Sequence, residues 1–119
     1  MWVSDLEKMR LFYSEYCGAQ SGKKYTNPAK GFESYFLSFA DGARLELMKS
    51  NLVEAVPERQ YRGIAHFAFS AGSEDEVNLL TSVFSKGGFL VLDGPRWTGD
   101  GYYESVIQDP EGNKIEITI

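Results

Sequence analysis

An α+β fold made of two copies of a βαβββ module is what this sequence predicts, and three observations predict it. Two helix-start signals of one kind stand 69 residues apart, and two turn-and-strand signatures stand 70 residues apart. Between helix and terminal strand each half carries further β-rich sequence. Separate landmarks that agree on an offset to within one residue mark a duplicated unit.

The helices come first. Ser4-Asp5-Leu6-Glu7 reads as a capping box, in which the serine oxygen accepts from a free N–H of the first turn and the glutamate reaches back. Leu6, Met9, Tyr13, Tyr16 and Cys17 then recur at helical spacing, and Gly18 stops the helix. The second start is Ser73-Glu74-Asp75-Glu76, with Val77, Leu80, Val83 and Phe84 on one stripe and Gly87 ending it.

The terminal strands repeat more closely. Asp41-Gly42-Ala43-Arg44-Leu45-Glu46-Leu47 matches Glu111-Gly112-Asn113-Lys114-Ile115-Glu116-Ile117. Each is an acidic-Gly turn, a basic residue, then a strand with glutamate between two aliphatics. Further strands are expected around 23–26 and 32–39 in the first half, and around 89–92 and 102–108 in the second. The second half also opens with a strand over 63–70. The first half has only Met1-Trp2-Val3 at that place, so the first strand of the first module is largely missing. Module one covers about 1–50 and module two about 62–119, joined by 51–61 into a single domain.

Composition bounds the function. At 119 residues, with 43% hydrophobic and 24% charged side chains, the chain can bury a core and is not a disordered tail. A net charge of −5 opposes a nucleic-acid backbone. No apolar run reaches the roughly 20 residues of a membrane span. Charged residues follow the first methionine at once, so no signal peptide is expected. One cysteine, Cys17, cannot form an internal disulfide and is expected to pack at a helix end, which fits a cytoplasmic protein.

Strand alternation sorts the candidate chemistry. Over 63–70, Ile64, His66, Ala68 and Ser70 share a face opposite Ala65, Phe67 and Phe69. On the last strand Lys114, Glu116 and Thr118 oppose Ile115, Ile117 and Ile119. On its first-half counterpart Arg44, Glu46 and Met48 oppose Leu45 and Leu47. The single histidine, His66, and two repeat-related glutamates, Glu46 and Glu116, thus stand on the less apolar sides of their strands. One imidazole and two carboxylates converging in a cleft would suit Zn²⁺, Ni²⁺, Mn²⁺ or Fe²⁺. The bland alternative stays open: a solvated strand face can be duplicated, and a lone histidine is often a hydrogen-bonded packing residue.

Arg96-Trp97-Thr98-Gly99-Asp100-Gly101-Tyr102-Tyr103 suits either a loop over a pocket or a long hairpin connection. Arg96, Trp97, Tyr102 and Tyr103 are therefore candidate substrate contacts. Its glycines do not open a helix after a strand, so it is no phosphate cradle. Arg59 and Arg62 are candidates for an anionic substrate group.

The chain resembles the vicinal-oxygen-chelate superfamily, the glyoxalase, bleomycin-resistance and dioxygenase family, over essentially its whole length. The resemblance is carried by Gly63-Ile64-Ala65-His66-Phe67-Ala68-Phe69, by Asp109-Pro110-Glu111-Gly112-Asn113 with Ile115-Glu116-Ile117, and by Val3-Ser4-Asp5-Leu6-Glu7-Lys8-Met9 with Phe12-Tyr13. It implies curved mixed sheets, each with one helix, that close over a divalent metal. It also implies that His66 and Glu116 are the second module's ligands and Glu46 the first module's. The fourth ligand would fall just before Met1, through a late start or a true lack of that strand.

One histidine with two glutamates is nearer the glyoxalase I branch than the two-histidine, one-carboxylate dioxygenases. That branch implies a lyase or isomerase in which metal binds vicinal oxygens of a small substrate, an enediolate-like species forms, and Glu116 or Glu46 moves the proton. A second reading is a non-catalytic bleomycin-resistance-type binding protein. A dioxygenase is the third. A two-fold homodimer is expected.

Overall fold

A computed structural model describes residues 1–54 and 63–119. The chain divides into two compact units, Met1–Gln60 and Tyr61–Ile119. Among the described residues each is an α+β unit of one α-helix against one sheet, as the repeat predicts.

The first unit opens with helix α1, Leu6–Tyr16. Its N-cap is Asp5 rather than the expected Ser4: the Asp5 carboxylate accepts from the Lys8 N–H at 3.0 Å. Leu6, Met9, Phe12 and Tyr13 form its buried stripe. Strands β1 (Gln20–Ser21) and β2 (Tyr25–Asn27) share one edge of β3 (Phe32–Ser38), and β4 (Arg44–Ser50) pairs with its other edge. The single strand expected around 23–26 is thus two short pieces. Leu37 and Leu47 are fully buried on the helix side, each such side chain contributing about 1.5–3 kcal/mol. Glu33, Tyr35 and Leu37 alternate with Phe32, Ser34 and Phe36, which lie on the opposite face. The Tyr35 hydroxyl donates to Glu7 at 2.9 Å and ties sheet to helix.

The short first strand of this unit pairs even so. Trp2 bridges Met48 in the parallel sense, with Val3 N–H donating to Met48 O and Met48 N–H to Met1 O, both at 2.8 Å.

In the second unit β5 is Phe67–Ser70, shorter than the expected 63–70, so His66 immediately precedes the strand. Helix α2, Glu74–Lys86, is capped by Ser73, whose side chain accepts from Glu76 N–H, as predicted. Val77 and Phe84 are buried on its inner side, while Val83 is exposed and Thr81 takes an inner place instead. Strands β6 (Val91–Trp97), β7 (Tyr103–Gln108) and β8 (Lys114–Thr118) follow. The sheet order is β5-β8-β7-β6, with β5 parallel to β8 and the other pairs antiparallel. Ile107, Ile115 and Ile117 complete this core.

The turn into β8 shows why Asp109-Pro110-Glu111-Gly112-Asn113 is a signature. The buried Asp109 carboxylate accepts from the N–H of Glu111 at 3.0 Å, the N–H of Asn113 at 2.9 Å and the Asn113 amide at 2.8 Å. Gly112, at φ +85°, supplies the left-handed step. Among the described residues no helix is long and apolar enough to cross a membrane.

Candidate functional site

β8 presents two different faces. Ile115 and Ile117 are buried toward α2, which leaves Lys114, Glu116 and Thr118 on the opposite face. The strand register identifies their neighbours. Ala68 and Ser70 of β5 stand beside Glu116 and Thr118. Val106 and Glu104 of β7 flank the same two residues on the other side.

His66 reaches this face from the chain just ahead of β5. Its Nε2 lies 3.2 Å from Glu116 Oε1, and the two side chains are 44% and 20% exposed. Both are therefore open to a ligand. Two donors bound to one ion at about 2.0–2.2 Å, at angles between right and tetrahedral, stand roughly 3.0–3.4 Å apart. The separation fits a shared divalent ion as well as a direct imidazole–carboxylate contact.

Glu104 belongs to this face and was not singled out from the sequence. The signal was available: alternation with buried Ser105 and Ile107 puts Glu104 on the Glu116 side. Burial, then the charge of Glu116 with Asp100 adding, pushes its carboxyl above the usual range; Arg96 and His66 pull the other way.

The register separates the four candidate substrate contacts. Arg96 pairs with Glu104 and shares its face, whereas Trp97 pairs with Tyr103 on the helix side. The Tyr103 hydroxyl donates to Asn78 of α2 at 3.0 Å, and its ring lies 5.4 Å from that of Trp97. Tyr102 is exposed in the turn. That turn is a closed hairpin: Thr98 N–H donates to Tyr102 O at 2.8 Å, and Tyr102 N–H to the Thr98 hydroxyl at 3.0 Å. Arg96 is engaged by the Asp93 carboxylate through Nε at 2.8 Å and through Nη2. This fork and the Gly94 N–H hold the Asp93 carboxyl below its usual range.

Glu46 occupies the matching strand position in the first unit. It pairs with Phe36 and shares a face with Arg44 and Met48. The Arg44 guanidinium lies 4.3 Å from the centre of the Phe36 ring. Among the described residues no group of three or more His, Cys, Asp or Glu side chains is gathered to hold a metal; the second unit supplies a pair. Arg59 and Arg62 lie outside the described residues.

The profile of the Glyoxalase/Bleomycin resistance protein/Dioxygenase superfamily matches residues 1–117. The chain belongs to this superfamily. Two Bacillus subtilis proteins are similar in sequence. The uncharacterized protein YqjT is 27% identical over 98% of this chain and 92% of its own length. Catechol-2,3-dioxygenase is 28% identical over 97% of this chain, which spans only 38% of that enzyme. Among solved structures, a glyoxylase/bleomycin resistance protein/dioxygenase domain from Frankia sp. EAN1pec superimposes with a TM-score of 0.85 at 14% identity, over 99% of this chain and 91% of that one. The Leishmania major glyoxalase I does so at 0.76 and 24% identity, over 98% and 80%. These structural likenesses establish the superfamily fold.

Proposed function

We propose that the protein is a glyoxalase-like lyase or isomerase that uses a divalent metal and acts on a small substrate with vicinal oxygens. The observation that carries this reading is the His66 Nε2–Glu116 Oε1 pair at 3.2 Å on the open face of the second sheet. Its spacing and mixed nitrogen–oxygen character suit Zn²⁺, Ni²⁺, Mn²⁺ or Fe²⁺. Glu46 holds the Glu116 position of the repeat, and the same proposal gives it a metal-ligating role within the first unit. A bound ion would polarise the substrate oxygens and stabilise the negative charge that develops when the neighbouring carbon loses its proton.

The remaining work falls to side chains. His66 offers a ring-nitrogen lone pair. Glu116 lends one carboxylate oxygen and takes a proton with the other. Arg96, across from Glu104, supplies positive charge beside the carboxylates. Trp97 and Tyr103 stabilise the hairpin that carries Arg96. A cytoplasmic two-fold dimer is part of the same proposal.

A dioxygenase is the second reading, and the 28% identity with catechol-2,3-dioxygenase favours it. The single histidine disfavours it, because ring-cleaving iron sites use two histidines with one carboxylate. A non-catalytic binding protein is the third. Elemental analysis after loading with each of the four ions and exhaustive dialysis tests the proposal. Near-stoichiometric metal that His66→Ala and Glu116→Gln both lose supports it. No retained metal in the wild-type protein overturns it in favour of a binding protein.

A further inference from the structure

The geometry points to a second small-molecule site on the first unit, apart from Glu46, that takes a planar aromatic anion. It lies where β3 begins and β4 ends. Phe32 pairs there with Ser50 on one side and Asn27 on the other. Ser50 is four residues along β4 from Glu46, about 13 Å at strand rise.

Three rings gather at this place. Trp2 meets Phe32 edge-on at 6.0 Å, and Tyr25 meets it at 6.1 Å. Trp2 is 48% and Tyr25 54% exposed, so the cluster leaves much aromatic surface in water, the usual mark of a binding surface. Phe32 also lines two adjoining open depressions of about 270 and 590 Å³. The larger falls within the 300–1,000 Å³ range of ligand sites. Its other walls include Lys30, Ser50, Asn51 and Leu52.

Charge selects the occupant. Lys24 is held by Glu7 at 3.3 Å and Glu33 at 3.0 Å. Among the described residues Lys30, on the wall of the larger depression, enters no such ion pair. Lys30 and Phe32 line the same depression, so an ammonium stands beside an aromatic ring there. An aromatic carboxylate would lay its ring against Phe32 and Leu52 and direct its charge to Lys30, with the Asn51 amide as a second donor. The depression suits a compact group of one or two fused rings better than a protein segment.

The test is a titration of the full chain with 2-naphthoate, followed by two-dimensional amide NMR. Shifts should saturate and map to the backbone amides of Lys30, Gly31 and Asn51. Lys30→Gln, an exposed change that leaves the fold intact, should weaken binding by about tenfold, as should replacing the carboxylate by the alcohol 2-naphthylmethanol. Cyclohexanecarboxylate should bind as poorly. His66→Ala should leave the affinity unchanged within about twofold, which separates this site from the metal proposal. Absence of saturable shifts overturns the inference. So do shifts that map elsewhere, equal affinity for the alcohol, or binding lost only on formation of a complex between copies of the chain.

Discussion

His66 Nε2 stands 3.2 Å from Glu116 Oε1, although the residue paired with Glu116 in the strand ladder is Ala68. The imidazole reaches along its own face from two residues upstream, outside the regular strand. A side chain anchored at a strand's open end can turn toward an ion without breaking a ladder hydrogen bond.

Loss of either partner should therefore cost metal affinity more than stability. His66→Ala and Glu116→Gln should each weaken retention of the best-bound ion by about tenfold or more. Their unfolding midpoints without metal should stay within about 2 °C of wild type. Competition with a chromogenic chelator, beside circular dichroism melts, measures both. A large stability loss with unchanged metal retention would make the pair structural.

Glu104 sets a pH dependence with a defined sign. Its carboxyl is raised in the folded protein, chiefly by burial and then by Glu116. A raised carboxyl favours folding while protonated, so its contribution is complete below the unfolded value and is lost as pH rises through the folded one. Glu104→Gln should raise the metal-free melting point at pH 7.5 by about 1–3 °C. The difference should vanish near pH 4. An equal gain at both values would assign the effect to packing.

Thr81 and Ser105 share a buried hydroxyl contact at 2.6 Å, and Thr81 donates onward to Val77 O at 2.6 Å. Thr81→Val removes the acceptor for the Ser105 hydroxyl and should cost about 1–3 kcal/mol in urea unfolding. Adding Ser105→Ala should return part of that loss, because no buried hydroxyl is then stranded. Strict additivity of the two changes would contradict the pairing.

Gly94 has no room for a side chain. It sits at φ +75°, and a Cβ there would overlap the Glu104 carbonyl oxygen and lie 3.0 Å from Ser105 Cα. Gly94→Ala should destabilise the second unit by about 2–4 kcal/mol. Because the overlap is with the backbone of Glu104, the variant should also shift the amide signals of β7. A variant as stable as wild type would mean that the bulged strand relaxes freely.

Much of this molecule was legible in its sequence, for local reasons. Ser73 caps α2 as read, and the acidic-Gly turns lead into β4 and β8 as read, because caps and tight turns are decided by residues within one turn of each other. The first helix shows the limit, since Ser4 and Asp5 are both good caps and only geometry selects Asp5. The face of β8 was readable from its alternation. The placing of Arg96 and Trp97 was not. Alternation alone sets the two on opposite faces, but which of them shares the Glu116 face depends on register shifts in β6 between Val91 and Asp93 and between Asp93 and Arg96, which one strand's sequence cannot reveal. Thr81 escaped because a polar residue was not expected on the inner stripe of α2.

The parallel pairing of β5 with β8 also orders assembly of the second unit. The helix and the β6-β7-β8 meander join neighbours in the chain, whereas β5 joins the unit's first strand to its last. Contacts between distant residues carry the larger loop-closure cost and form late. Loop-closure cost alone therefore predicts that the hairpin bringing Arg96 opposite Glu104 and the strand carrying Glu116 form before β5 docks. His66 belongs to the segment that leads into β5, so on that order the imidazole–carboxylate pair is the last part of the unit to be built.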